Sequence, residues 1–233
     1  MLKNKSKPVF AALFITAELV LGVLIQTVDN GAVKWLSYGA VLLASLYPVL
    51  LRERTAVYTF TQVGLVFTVF ADLFLVVIEP MRQLEAMIFF SLVQICYFLR
   101  LYISHESTKE KAVHLAVRAT LTVVALVLTA VVLGDKTDAL SLISLFYYAN
   151  LITNIAVAFS QLKKSPLLAI GLLLFLLCDT VIGLNIMAGS YISIASDSLL
   201  YRLINPGFNL AWVFYVPSQT LIALSLYKTN KKI

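Results

Sequence analysis

Apolar residues fall in eight blocks of about 20, parted by short polar breaks. A helix rises about 1.5 Å per residue, so a run of about 20 crosses a hydrocarbon core of roughly 30 Å. The blocks predict spans at 8–27, 33–51, 55–78, 82–104, 112–133, 139–162, 166–188 and 208–227. Asp29-Asn30-Gly31 separates the first two, and Arg52-Glu53-Arg54 the next pair. Glu79-Pro80 ends the third, and Gly134-Asp135-Lys136 marks the turn after the fifth. Lys163-Lys164-Ser165-Pro166 opens the seventh, with proline in the first turn, where its missing N–H costs nothing. The expected fold is all-α: a polytopic membrane protein built as a bundle of eight transmembrane helices.

Composition extends this picture. The chain is 61% hydrophobic and only 13% charged, far from a soluble domain, and residues 1–233 are expected to form one integral membrane domain. The N-terminal apolar run is too long for a secretory signal and is interrupted by Glu18, so it is expected to stay as the first helix. A net charge of +6 could suggest nucleic acid, but the basic residues lie near span ends and in short loops, where they orient the protein. Of the 18 Lys and Arg residues, 14 fall on the N-terminal side of the alternation, Arg100 and Arg118 among them, and 4 on the other. Both termini are therefore expected inside, with no nucleic-acid partner. Span five, with only threonines as polar residues from Ala119 to Leu133, is expected to face lipid. The longest connection, Gly189 to Gly207, carries Tyr191, Ile192, Ile194, Leu199, Leu200, Tyr201, Leu203 and Ile204, and reads as an amphipathic connector or a cover on the outer interface. Cys96 and Cys178 lie inside spans and are expected to be reduced packing residues.

Polar residues inside spans carry the chemistry. Asp72 lies within Phe67–Leu75 and Asp179 within Leu173–Val181. An acid at such depth costs roughly 2.5–3.5 kcal/mol on insertion scales, and spanning a bilayer requires none, so the pair is a candidate site. Other polar groups fall in a layer from the midplane to the outer third: Glu18, Gln94, Tyr97, Tyr147, Asn150, Asn154, Asn185, Tyr215 and Gln219. Asn150 and Asn154 share a helix face, as do Tyr215 and Gln219. Amides there often act as interhelical glue, and Glu18 can be a hydrogen-bonded structural acid. There is also an internal echo. Spans three and seven each place a small residue before Asp, and spans four and eight each place Tyr eight residues after Gln (Gln94 and Tyr102; Gln219 and Tyr227), as in a parallel 4+4 repeat. Both histidines, His105 and His114, lie in or beside one loop. The deep site thus has neither a histidine base for a serine nucleophile nor a histidine–carboxylate metal set, and no metal or other cofactor is expected. Carboxyl acid–base chemistry remains.

These residues resemble the YhhN-like lysoplasmalogenases, eight-helix membrane proteins. The resemblance rests on Asp72 in the third span, Phe90-Ser91-Leu92-Val93-Gln94-Ile95-Cys96-Tyr97 in the fourth, Cys178-Asp179 in the seventh and Tyr215-Val216-Pro217-Ser218-Gln219 in the last. Gln94 stands where the family pattern has His, and Tyr47-Pro48 where many members have Lys-Pro. The resemblance implies a lysophospholipid substrate in the bilayer and hydrolysis of its vinyl ether bond to a fatty aldehyde and a glycerophospho head group. Asp72 and Asp179 would be catalytic, Asp72 as base or stabiliser and Asp179 as acid. Glu18, Gln94, Tyr97, Tyr147, Asn150, Asn154, Tyr215 and Gln219 would bind substrate or water. The implied location is a bacterial plasma membrane. Two other readings stay open: a proton-coupled transporter and an inactive lipid-binding protein.

Overall fold

The structure, a computed structural model, describes residues 7–28, 30–51, 55–105, 107–190, 195 and 197–227. Nine α-helices run through them: α1 (Lys7–Thr27), α2 (Asn30–Leu51), α3 (Ala56–Asp72), α4 (Gln83–Ile103), α5 (Thr108–Leu133), α6 (Ala139–Ser160), α7 (Pro166–Ser190), α8 (Leu199–Ile204) and α9 (Leu210–Leu224). The helices α1 to α7 are long and apolar enough to cross a membrane, so this is an all-α, multi-pass integral membrane protein. Each predicted span has its helix, with ends displaced by a few residues. Two differ in kind. The third ends as a π-helical turn, Leu73–Val77, closed by Ile78 N–H to Leu73 O at 2.9 Å. The eighth is shorter than expected: α9 has 15 residues, about 22 Å, and gives way to a turn at Ser225. The breaks at Asp29 and Arg52-Glu53-Arg54 lie outside the described residues, as do Lys3, Lys5, Lys228, Lys231 and Lys232.

Helix starts follow local chemistry. The Thr55 hydroxyl accepts from Tyr58 N at 3.2 Å and caps α3. Asp138 and Ser141 form a reciprocal capping box on α6. Within the long connection, α8 is capped by Ser198 and buries Ile204, while Leu199 and Leu203 are exposed. Tyr191, Ile192 and Ile194 lie outside the described residues.

Two helix pairs form the closest packings, α3 with α4 and α7 with α9. Each depends on a glycine. A Cβ on Gly64 would stand 2.7 Å from Tyr97 Cε1, and one on Gly171 2.8 Å from Ile222 Cγ1 and 3.1 Å from Ser218 O. The absent side chains let the helices approach until Ser218 Oγ donates to Gly171 O at 2.8 Å. α4 also packs on α6, whereas α1 and α2 pack on each other and on α9. α4 and α5 follow one another along the chain but are not a close pair. α5 packs on α6 and is otherwise open, burying only Arg118 and Thr129, in line with a lipid-facing helix.

Two residues taken as orienting surface charges are instead buried. Arg100 on α4 donates to Thr61 Oγ1 at 3.0 Å, Ser225 Oγ at 2.7 Å and Ser165 Oγ at 3.2 Å, joining α3, the end of α9 and the start of α7. Its long stem carries the guanidinium inward to hydroxyls that satisfy its fork of donors. Arg118 is buried in the same manner.

Candidate active site

Asp72 is the last residue of α3 and is buried, at the point where the helix widens into the π turn. Such turns recur at functional sites because they re-aim side chains without ending the helix. Tyr215 of α9 donates its hydroxyl to Asp72 Oδ2 at 2.6 Å. Asp179 of α7 receives the same donation from Tyr147 of α6, but is only half-buried. The two carboxyls are near enough to act on each other electrostatically, and Cys178 lies within reach of both.

Aromatic rings join the two acid–phenol pairs. Phe175 lies edge-on to Tyr215, with centroids 5.5 Å apart, and edge-on to Tyr147 at 6.5 Å. Phe90 completes the wall, 5.8 Å from Tyr147 and 5.9 Å from Phe175. Trp212 lies edge-on to Tyr215 at 5.3 Å. The two acid–phenol pairs thus share one aromatic wall, and each carboxyl is held by a neutral donor. Charges placed among apolar walls act over longer distances than in water.

The remaining predicted residues divide. Asn150 and Asn154 do not reach this centre with free groups. Their side-chain carbonyls accept from Arg118 Nη1 and Nη2, both at 2.5 Å, and Asn154 Nδ2 donates to Gln94 Oε1 at 2.9 Å. The Phe98 ring lies 4.2 Å from the Arg118 guanidinium carbon. Both asparagine oxygens therefore serve a buried cation and supply what a guanidinium in an apolar setting needs. Gln94 is tied to this network by its oxygen, while its Nε2 has no partner among the described residues. Tyr97 is fully buried and packs into the space left by Gly64. Glu18 and Gln219 are both buried, and neither the carboxyl oxygens nor the amide atoms have a partner among the described residues. Asn185 lies on α7, two turns beyond Asp179.

The sequence reading missed several residues. Tyr38 of α2 lies close enough to Asp72 for the carboxyl to bear on its phenol. Ser37 beside it is fully buried, and its hydroxyl has no partner among the described residues. A tyrosine and a serine near a span end give no compositional signal. Arg118 gave one, a cation ten residues into an apolar helix, but charge counting hid it. The histidines stand apart from the aspartates: His105 lies 3.1 Å from Glu110 Oε2 through Nδ1 and 2.8 Å from Gln161 Nε2 through Nε2, with His114 edge-on to it.

Fold and site together describe a polytopic helical membrane protein with a carboxyl pair held inside the bundle. The pattern of the YhhN family matches residues 30–226, and the chain belongs to that family. Neither a curated protein nor a solved structure matches it.

Proposed function

We propose that this protein is an intramembrane hydrolase of lysoplasmalogens, cleaving the vinyl ether bond by aspartate acid–base catalysis. The observation that carries the reading is the pair of intramembrane carboxyls, each held by a tyrosine whose ring packs on Phe175. Membership of the YhhN family supports it. Residues 1–233 act as one membrane domain, placed in a bacterial plasma membrane with both termini inside.

In this reading Asp179 enters as the acid and Asp72 as the carboxylate. Asp179, the less enclosed of the two, gives its proton to the outer vinyl carbon. The positive charge that forms on the adjoining carbon and ether oxygen is stabilised by the Asp72 carboxylate. Water adds to that carbon as Asp72 takes one of its protons, giving a hemiacetal. Its carbon–oxygen bond to glycerol then breaks. Asp72 returns its proton to the departing glycerol oxygen, and the hemiacetal hydroxyl gives its proton to Asp179. A fatty aldehyde and the glycerophospho head group leave, and both aspartates return to their starting forms. The division of labour parallels carboxyl pairs that cleave glycosides. Tyr147 and Tyr215 are positioning residues that hold each carboxyl in one orientation, and Phe175, Phe90 and Trp212 shield the cation from bulk water.

The test is aldehyde release from vinyl-ether lysolipid by the purified full chain in nanodiscs. General acid–base groups supply about 10²- to 10⁴-fold, so Asp72→Asn and Asp179→Asn should each lower kcat by at least about 10²-fold. No aldehyde from the parent, or rates in both variants equal to the parent's, would sink the reading.

A further inference from the structure

Glu18 of α1 and Gln219 of α9 stand outside the reaction steps, yet both are buried in the bundle. Four polar atoms, both oxygens of Glu18 and both amide atoms of Gln219, lack a partner among the described residues. Buried polar atoms in native proteins are nearly always bonded, so several exceptions together call for an explanation such as water or a ligand.

Local packing shows where the two residues face. Phe14, Glu18 and Gly22 lie one turn apart on one face of α1. Phe14 stacks on Tyr47 of α2 at 4.3 Å, and a Cβ on Gly22 would stand 3.8 Å from Val216 of α9. Glu18 therefore lies on the face of α1 that packs on α2 and α9. Gln219 is three residues on from Val216 and one turn from Tyr215, which holds Asp72.

The chemistry of the pair narrows what it binds. Among the described residues, no charged side chain bears on Glu18. Without a cation the pair does not suit a phosphate, which calls for arginine, lysine or backbone N–H groups. An amide offers one donor group and one acceptor, and a carboxyl in its acid form does the same. That complements a group which both donates and accepts, an alcohol. We propose that Glu18 and Gln219 form a hydroxyl-binding subsite that reads the free glycerol hydroxyl of a lysolipid beside the aspartate pair. This rests on the lysoplasmalogenase reading for its substrate. That hydroxyl lies on the carbon next to the one bearing the ether oxygen, about one hydrogen-bond length away. The step from Tyr215 to Gln219 is four residues, about 6 Å along the helix. The subsite makes Glu18 and Gln219 specificity residues: a lipid acylated at this hydroxyl would leave buried polar groups unpaired, which discriminates strongly.

The test uses two saturated ether lysolipids that cannot be hydrolysed, 1-O-alkyl-glycerophosphocholine and its 2-deoxy counterpart. Binding to the full chain in nanodiscs is read from the fluorescence of Trp212, which abuts Tyr215, in a Trp35→Phe background. The parent should bind the hydroxyl probe at least about tenfold more tightly than the deoxy probe. Gln219→Leu and Glu18→Leu should bring that ratio close to one while affinity for the deoxy probe is held or improved. Glu18→Gln, which keeps a donor and an acceptor, should retain it. Both leucine variants should also unfold at a higher temperature, since they remove unpartnered polar atoms; a purely structural pair would give the opposite shift. A parent ratio near one, or a ratio unchanged in the leucine variants, would overturn the subsite. Because neither probe is turned over, the outcomes separate. Discrimination without aldehyde release leaves the subsite and removes the reaction, and the converse leaves the reaction and removes the subsite.

Discussion

Each aspartate is met by a phenol from another helix, Asp72 by Tyr215 and Asp179 by Tyr147. A hydrogen bond to a charged group contributes about 1.5–3 kcal/mol, and removing the donor leaves the carboxylate to orient itself. Tyr215→Phe should therefore lower kcat about 10- to 100-fold with little change in KM, and should shift the acidic limb of the pH–rate profile. Tyr148→Phe, which removes a hydroxyl 2.7 Å from Thr180 Oγ1 and not from an aspartate, should do neither. Equal effects from both, or a change confined to KM, would remove the positioning role. The aspartates were legible in the sequence because an acid in an apolar run is an energetic anomaly on any reading. Their tyrosine partners were named, but not paired, because pairing depends on which helices become neighbours. Arg118 and Arg100 were misread for a related reason. Charge counting assigns a residue by its position along the chain, whereas a long arginine side chain can turn inward and be satisfied by amides and hydroxyls.

At the level of elements, the helix bounds followed from run length and breakers. The π turn after Asp72 did not, because Leu73–Val77 contains no breaker, and its widening reflects how the end of α3 packs on α2 and α4. The glycines were equally silent in sequence, yet they set the closest approaches. Gly64 lies eight residues before Asp72, and Gly171 eight before Asp179. Their contact partners, Tyr97 and Ile222, each follow the central glutamine of their helix by three. The echo read from Asp and Gln positions thus extends to the packing of α3 on α4 and α7 on α9. Gly171→Ala would force Ile222 and the backbone of α9 apart, and overpacking of this kind costs about 1–3 kcal/mol. It should lower the unfolding midpoint in detergent and, by displacing Tyr215 relative to Asp179, reduce turnover. Gly183→Ala in the same helix, with nothing within 4 Å of the new methyl, is the control and should leave both unchanged. A neutral Gly171→Ala would mean that the two helices are not held at this contact.

Across the whole molecule, the charge bias that predicts internal termini also predicts which loops a membrane-impermeant thiol reagent reaches. With Cys96 and Cys178, both buried, replaced by Ala, a Lys136→Cys variant should be labelled on intact cells, and a Lys163→Cys variant only after permeabilisation. The reverse pattern would invert the bundle and with it the side from which lipid approaches. The depth of the site follows from one contact between distant parts of the chain. Gln26, next to the last residue of α1, exchanges two amide hydrogen bonds with the backbone of Asn209, at 2.9 and 3.1 Å, so the start of α9 is level with the end of α1. Tyr215 follows six residues later, about 9 Å further in. A lysolipid whose ether reaches Asp72 would therefore sink by about the length of its glycerophosphate arm. Its phosphate would remain at the headgroup level and keep its water, and only the glycerol would be stripped of solvent. On the lysoplasmalogenase reading, the protein would then have no need to extract a lysolipid from the leaflet, or to bury an anion in order to cut a neutral bond.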